Sequence, residues 1–139
     1  MGDIIEKRVR ERLRVIEEAR RWAESLQPPV SVILVGSYAR GDFNAWSDVD
    51  LLVVSPVFRG MRVTDRLLGI DAPPGYEVIA VTPEELEKMI AKKNPLAVDA
   101  LRHGVVLRDD LGVSKLLERL RREGRCLRGV AGASEQSMG

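Results

Sequence analysis

Cysteine and histidine are nearly absent from this sequence. Among its 139 residues there is one cysteine, Cys126, and one histidine, His103. A single cysteine cannot form an internal disulfide, and nothing in the sequence resembles a metal-thiolate cluster. We therefore expect a protein of the reducing cytoplasm and assign no role to Cys126.

Long apolar runs and an excess of one charge sign are also missing. Ile4 and Ile5 are followed at once by EKRVRERLR, so the N-terminus has no stretch of signal-peptide type, and no run approaches the length of a membrane span. The expectation is a chain that is neither secreted nor anchored in a membrane. The 22 basic and 21 acidic residues give a formal net charge of +1. Binding of long nucleic acid would therefore need a local basic patch.

The composition that remains is typical of one compact domain. Apolar residues make up 45% of the chain and charged residues 31%, which is enough for a real core. We predict a single domain over residues 1–128 with its core at about 30–110. The last segment, GVAGASEQSMG, is small and polar, and it predicts a disordered tail over 129–139.

Apolar periodicity and turn residues predict an α/β or α+β fold with one small mixed sheet flanked by helices. An amphipathic pattern predicts a first helix over 5–26, with its apolar face at Ile5, Val9, Leu13 and the apolar positions that follow. The link between the first two strands is about 13 residues, so these strands should be near neighbours. The predicted strands are 30–35, 49–54, 76–81 and 105–109, and the later helices lie near 62–69, 83–93, 96–103 and 111–124. Thr82, Pro83 and Glu85 predict the start of the helix at 83–93, with a capping residue, a proline in the first turn and the glutamate of a capping box.

Two carboxylates stand where a buried strand begins. Asp48 and Asp50 lie within the segment VGSYARGDFNAWSDVDLLVV, residues 35–54. Side chains two apart on a strand share a face, so these two can hold the same cation. Hard divalent ions such as Mg²⁺ or Mn²⁺ take oxygen ligands and keep several waters and substrate phosphates, so two carboxylates suffice only with a phosphate ligand. The pair therefore predicts a bound nucleotide.

A glycine bend supplies the complementary part of the predicted site. A strand that ends at Gly36 leaves backbone N–H groups free to face a phosphate, and glycine lets that phosphate approach closely. Ser37 can donate a further hydrogen bond, Arg40 a charge-assisted one, and Ser47 can orient the turn before Asp48. Each piece alone also has an ordinary structural interpretation, as a strand-to-helix connection or a turn cap. The calcium-loop and P-loop patterns are both absent.

Several other residues stay open between a structural and a functional interpretation. Trp46 and Tyr38 flank the predicted site and could stack on a base or pack on the core. For His103 a capping or surface role is favoured over catalysis. Asp109 and Asp110 most simply cap the last helix.

The segment GSYARGDFNAWSDVDLLVV resembles the nucleotidyltransferase signature of the DNA polymerase beta superfamily, in which glycine and serine precede an Asp-x-Asp pair. It is particularly similar to the short minimal nucleotidyltransferases of archaea and bacteria, and the order of elements over 30–110 is similar too. The resemblance implies a polymerase-beta-type fold in which Asp48 and Asp50 bind divalent metal and Gly36 and Ser37 bind the nucleoside triphosphate.

The resemblance also implies a third metal-binding carboxylate on the next core strand. Glu77 is the best match, because it sits near the start of the strand YEVIAV with Ile79 and Val81 on its own face. Asp65 and Asp71 are poorer matches, since they fall on a predicted helix and a loop. Glu77 would then accept the proton of the attacking hydroxyl. It could instead be an exposed residue of an edge strand.

The resemblance implies a metal-dependent transfer of a nucleoside monophosphate, with ATP as the default donor, to an acceptor hydroxyl. Minimal nucleotidyltransferases are often paired with a small helical HEPN protein, as the antitoxin of a toxin–antitoxin system, and homo-oligomers are also plausible. An alternative is a non-catalytic module that binds a nucleotide or a partner and keeps the metal site. A weaker one is modification of an RNA end, with Arg8, Arg10, Arg12 and Arg14 as the contact surface.

Overall fold

A computed structural model describes residues 2–131, with side chains described for 3–123. The described part contains six α-helices and four strands, in nearly the order that the sequence predicts. The helices are α1 (Gly2–Glu24), α2 (Gly36–Arg40), α3 (Val63–Arg66), α4 (Pro83–Ala91), α5 (Pro95–His103) and α6 (Val113–Ala131), and the strands are β1 (Ser31–Val35), β2 (Val49–Val54), β3 (Tyr76–Val81) and β4 (Val105–Asp109).

The four strands form one mixed sheet in the order β3-β2-β1-β4. β1 pairs antiparallel with β2 and with β4, whereas β3 lies parallel to β2 at the edge of the sheet. The predicted small mixed sheet is confirmed, and so is the prediction that the first two strands are neighbours. The register places Asp50 between Val35 on one side and Glu77 on the other. The sheet therefore brings three predicted site segments to one end.

Helices cover both faces of the sheet. β1 and β2 are apolar on both faces, as expected for strands buried on both sides, and every residue of β1 is buried. One face packs against Val15, Ala19 and Ala23 of α1. The other face, which includes Val35 and Leu52, packs against α4, α5 and α6. Asp50 shares this second face with Leu52, because the two side chains are two positions apart.

The predicted apolar face of α1 is only half correct. Ile5, Val9 and Leu13 were expected to face the core, yet their relative exposures are 63%, 52% and 58%. The first half of the helix contacts α2 and the segment after it through Arg8 and Arg12, which bind backbone carbonyls, and only its second half is buried through apolar residues. Periodicity identifies an apolar stripe, but it does not say whether the stripe is covered.

The last helix begins at an acidic cap. The carboxylate of Asp109 accepts hydrogen bonds from the backbone N–H groups of Gly112, Val113 and Ser114 at 2.8, 2.8 and 3.0 Å. Burial tends to raise the pKa of Asp109, but these donors and the Ser31 hydroxyl hold it below its ordinary value. The capping role predicted for Asp109 is confirmed.

Asp110 has a different role, because its carboxylate accepts a hydrogen bond from the N–H of Val30 and pairs with Arg108. The predicted cap by Asp110 is therefore wrong.

α6 continues to Ala131, so residues 129–131 of the predicted tail are helical, and the remaining 132–139 lie outside the described residues. The side chain of Cys126 also lies outside the described part. No helix among the described residues has the length and apolarity that a membrane span requires.

The helix start predicted at Thr82, Pro83 and Glu85 is confirmed. The Thr82 hydroxyl accepts the Glu85 N–H at 3.1 Å, and the Glu85 carboxylate accepts the Thr82 N–H at 2.9 Å, which completes a capping box. The same carboxylate binds Arg66 at 2.6 and 2.9 Å, and Arg66 is only 7% exposed. The hydrogen bond from Arg66, followed by that from Thr82, lowers the pKa of Glu85 to about 2 from 4.5.

Glu85 should therefore make the stability of the protein depend on acid pH. A depressed folded-state pKa contributes stability above the ordinary pKa of 4.5, and this contribution is lost as the pH falls from 4.5 toward 2. Glu85→Gln should lower the free energy of unfolding at pH 7 by about 1 to 3 kcal/mol, because Arg66 loses its anionic partner. Urea unfolding between pH 2 and 7 measures both effects.

Glu84→Gln is the matched control, since Glu84 is the neighbouring residue and pairs with an exposed arginine, Arg59. Its effect at pH 7 should be smaller. Equal acid dependence for wild type and Glu85→Gln would contradict the assignment.

Candidate active site

The glycine bend at the end of β1 lies directly against Asp50. Gly36 has a φ of +78°, a conformation that residues with a side chain rarely adopt. A Cβ at position 36 would lie 3.1 Å from Cγ and 3.2 Å from Cβ of Asp50, and it would overlap the carboxylate oxygen Oδ2. The sequence predicts that the neighbouring strands β1 and β2 bring Gly36 close to Asp48, whereas in the structure the atoms nearest to this Cβ position belong to Asp50. Glycine is required here for both its φ and its size.

Asp50 is half-buried among negative charges. Burial raises the pKa of Asp50 above its ordinary value of 3.8, and the charges of Asp48 and Glu77 raise it further. The positive charge of Arg40 acts in the opposite direction. A carboxyl group whose ionised form is disfavoured by neighbouring negative charges is typical of a functional site, and a bound cation would offset those charges. Asp48 lies just before β2 and is exposed, so it faces solvent at the mouth of the site.

Glu77 is both a neighbour of Asp50 and an exposed residue of an edge strand. Its Cα is paired in register with that of Asp50 across the parallel strands β2 and β3. Ile79 and Val81, which share its face, belong to the same apolar cluster as Leu52. The two interpretations that the sequence left open for Glu77, a carboxylate next to the acidic pair and an exposed residue of an edge strand, are therefore compatible. Asp65 and Asp71 lie on α3 and the loop that follows it, away from this register position.

Arg40 is held by two carboxylates, and the sequence predicts neither contact. Its Nε donates to Asp42 Oδ2 at 3.1 Å, and its Nη1 donates to Asp99 Oδ1 at 3.1 Å. The other oxygen of Asp99 accepts the N–H of Gly36 at 2.7 Å. Asp99 belongs to α5, about 60 residues after the motif. A lone aspartate in an amphipathic helix carries no sequence signal of such a contact.

Ser47 closes a tight turn before the acidic pair. Its hydroxyl accepts the N–H of Asn44 at 2.9 Å, and the side chain of Asn44 accepts the N–H of Trp46 at 2.8 Å. Ser47 therefore orients this turn, as expected. Trp46 is 89% exposed on it, two residues before Asp48. Tyr38, by contrast, is buried and stacks on Phe43 with ring centroids 4.4 Å apart, so it is a packing residue.

Arginines of α1 secure the far end of α2. Arg12 donates to the carbonyls of Tyr38 and Ala39 at 2.7 and 2.8 Å, and Arg8 donates to those of Gly41 and Phe43 at 3.0 Å. These carbonyls lie at or just beyond the C-terminus of α2, where a positive charge is stabilising. α1 thereby fixes the helix that begins at the glycine bend.

These contacts count against the interpretation of α1 as an RNA-binding surface. Arg8 and Arg12 are engaged with backbone carbonyls, and Arg14 pairs with Glu11 and Glu18 at 2.7 and 2.8 Å. Three of the four arginines in the predicted surface therefore bind within the protein. His103 is the exposed last residue of α5, in agreement with a surface role.

The carboxylates of the site do not form a complete metal centre by themselves. Among the described residues, no three His, Cys, Asp or Glu side chains lie close enough together to form a ready metal site. Asp48 and Asp50 still offer carboxylate oxygens, and Mg²⁺ commonly binds through one or two carboxylates while phosphates and waters complete its shell. The residues therefore fit an ion that arrives with a phosphate ligand.

Solved structures similar to this chain include three that concern nucleotides or toxin–antitoxin pairs. A candidate nucleotidyltransferase from Sulfolobus solfataricus is 25% identical, over 73% of this chain and 83% of that one, with a TM-score of 0.48. A toxin–antitoxin structure with AMP-PNP is 14% identical, over 88% of this chain and 97% of that one, with a TM-score of 0.44. A mutant of the toxin–antitoxin MntA-HpeT is 13% identical, over the same shares, with a TM-score of 0.46. No curated protein is significantly similar to the chain.

The fold and the site define an α/β protein with an acidic site at one end of its sheet, beside a glycine bend. The sequence profile of the nucleotidyltransferase domain family matches residues 13–123, which is most of the chain and includes the glycine bend, Asp48, Asp50, Glu77 and Asp99. The chain belongs to this family and is a nucleotidyltransferase. The family expected from the segment 36–54 is thereby confirmed.

Proposed function

We propose that the protein transfers a nucleoside monophosphate, AMP from ATP, to an acceptor hydroxyl and releases pyrophosphate. The observation that carries this proposal is the position of Asp50, which touches the glycine bend on one side and is in register with Glu77 on the other. Carboxylate oxygens close to a bend that only glycine can form are suitable ligands for a phosphate-bound cation.

Each residue has a distinct task in this proposal. Asp48 and Asp50 hold Mg²⁺ or Mn²⁺, which when bound neutralises charge on the triphosphate and on the transferring phosphoryl group. Ser37 and Arg40 donate hydrogen bonds to the phosphates, and Gly36 allows their close approach. Ser47 keeps the turn that leads into Asp48 in place.

Glu77 is proposed as the third carboxylate and as the base that takes the proton of the attacking hydroxyl. Its Cα is in register with that of Asp50 on the neighbouring strand, and its exposure gives an acceptor access from solvent. These are the two requirements for a base that acts on an incoming hydroxyl. A module that binds nucleotide without catalysis would keep Asp48 and Asp50 but would not depend on Glu77.

We further propose that the acceptor hydroxyl belongs to a partner protein. Trp46 is 89% exposed on a hydrogen-bonded turn two residues before Asp48, and large exposed aromatic side chains are frequent anchors of protein interfaces. An open cleft of about 510 Å³ adjoins this turn between α1 and residues 38–45. The resemblance to minimal nucleotidyltransferases suggests a small helical partner of the HEPN type, with the chain as its cytoplasmic antitoxin.

Incubation with α-labelled ATP and Mg²⁺ tests the reaction, with a small helical protein encoded in the neighbouring reading frame as the candidate acceptor. Label from the α-phosphate, but not from the γ-phosphate, should appear on the acceptor, because the bond beyond the α-phosphate breaks. Binding of ATP without any transfer or self-labelling would favour the non-catalytic module. Transfer of the γ-label would contradict nucleotidyl transfer.

Glu77→Gln should lower the rate of transfer at least about a hundredfold, since the amide cannot accept the proton. Nucleotide binding should change little, as measured by calorimetry with a non-hydrolysable ATP analogue. Glu87→Gln, on the exposed side of α4, is the control and should transfer at the wild-type rate. A wild-type rate for Glu77→Gln would remove Glu77 from the mechanism.

A further inference from the structure

Asp99 holds two of the hydrogen-bond donors at the site with one carboxylate. One oxygen accepts the N–H of Gly36 at 2.7 Å, and the other accepts from Nη1 of Arg40 at 3.1 Å. The side chain of Asp99 is 17% exposed, so solvent screens these contacts only in part. A carboxylate bound to both an amide and a guanidinium has strong, charge-assisted hydrogen bonds.

The same two donors are those that an incoming phosphate would use under the proposed function. A backbone N–H has one hydrogen and makes one good hydrogen bond, so Gly36 can serve either Asp99 or a phosphate oxygen. Arg40 has further donors, but Asp42 already takes its Nε. A phosphate that reaches Gly36 must therefore displace the carboxylate of Asp99.

The negative charge of Asp99 also opposes binding of the triphosphate. Asp48, Asp50 and Glu77 already place three negative groups at this end of the sheet, and Asp99 adds to the charge that raises the pKa of Asp50. Divalent cations can offset the negative charges of Asp48, Asp50 and Glu77, whereas the negative charge of Asp99 is paired with Arg40. It therefore neutralises the positive side chain that the triphosphate needs.

We propose that Asp99 is an affinity-determining residue that competes with the triphosphate for Gly36 and Arg40. The carboxylate occupies these donors in the empty site, and the nucleotide binds by displacing it. This inference rests on the proposed function. If Asp99 competes with the nucleotide, its removal should strengthen nucleotide binding. If Asp99 only positioned the bend, its removal would weaken binding.

The test compares binding of a non-hydrolysable ATP analogue with Mg²⁺ to wild type, Asp99→Asn and Asp42→Asn. Asp99→Asn should lower the dissociation constant about tenfold, because a neutral acceptor holds Gly36 and Arg40 less strongly. Asp42→Asn should have a smaller effect, since Asp42 contacts Arg40 but not Gly36. Unchanged or weaker binding by Asp99→Asn would overturn the inference. If none of the three proteins bound the analogue, the proposed function would be overturned as well. Tight binding without transfer would overturn only the proposed transfer reaction.

A measurement on the wild-type protein covers the case in which Asp99→Asn fails to fold. The amide of Gly36 and the carboxyl carbon of Asp99 are followed by NMR while the analogue and Mg²⁺ are added. Both resonances should move together, with one common dissociation constant, as the carboxylate leaves the amide. A shift at Gly36 with no change at Asp99 would show that the contact persists, and would reject competition.

Discussion

Replacing Asp50 by asparagine should strongly reduce nucleotidyl transfer and at the same time stabilise the protein in the absence of nucleotide and metal. Asp50 is the carboxylate that touches the glycine bend, so under the proposed function its loss would remove a ligand of the metal ion. The rate should fall on the order of a thousandfold, as expected when charge stabilisation of the transition state is lost. The transfer assay with α-labelled ATP measures this loss.

The gain in stability follows from the raised pKa of Asp50. Burial, Asp48 and Glu77 make its ionisation unfavourable in the folded state, so ionisation opposes folding at every pH above the ordinary value of 3.8. Asparagine carries no charge, and the variant should have the higher Tm at pH 7 in the presence of a chelator. The difference should shrink as the pH falls through the raised folded-state pKa and should vanish below 3.8, where wild-type Asp50 is protonated in both states. Active sites often hold such destabilising groups.

Asp71→Asn is the matched control for Asp50→Asn. Asp71 is exposed on the loop before β3 and lies outside the register position of Asp50, so the same chemical change there should leave rate and Tm nearly unchanged. A lower Tm for Asp50→Asn would mean that the carboxylate stabilises the fold, and would contradict the cation site.

Gly36→Ala should disable the site through backbone and steric effects together. An alanine at φ +78° is unfavourable, and its Cβ would overlap the Asp50 carboxylate. Because Asp50 lies on a fully packed strand, it cannot move away without disturbing the core. We expect the free energy of unfolding to fall by about 2 to 4 kcal/mol and transfer to fall at least about a hundredfold. Urea unfolding and the transfer assay measure the two effects.

Gly60→Ala separates the two causes. Gly60 has nearly the same φ, +79°, but nothing lies within 4 Å of the position that its Cβ would occupy. It should lose about 1 to 2 kcal/mol from the backbone alone and keep full activity. If Gly36→Ala lost no more stability than Gly60→Ala and remained active, the close approach to Asp50 would have no functional meaning.

Local signals predicted the elements of this fold well. Strand β2 begins and ends where its apolar run does, because an apolar strand buried on both faces has little choice of position. Strand β3 also has the predicted bounds, although it is only partly buried at the edge of the sheet. The capping box at Thr82 was equally clear, since the hydroxyl and the carboxylate satisfy donors only three residues away. Gly36, Ser37, Asp48 and Asp50 were recognisable because they lie within one short segment.

Signals that depend on distant parts of the chain were missed or misjudged. Whether Ile5 and Val9 of α1 face the core depends on where α1 crosses the sheet, and periodicity does not contain that information. The contacts of Arg12 with Tyr38 and of Asp99 with Gly36 span 26 and 63 residues. No local pattern distinguishes these side chains from solvated charges on a helix.

The sequence by itself determined the strands, the glycine bend and the acidic pair, because the constraints on these features act between residues that are close along the chain. Only the tertiary structure decided which charges meet at the bend: it set Glu77 beside Asp50 and aimed Asp99 at Gly36 and Arg40. Electrostatic contacts act through space, and the sheet register and the packing of α5 determine which carboxylates share one site.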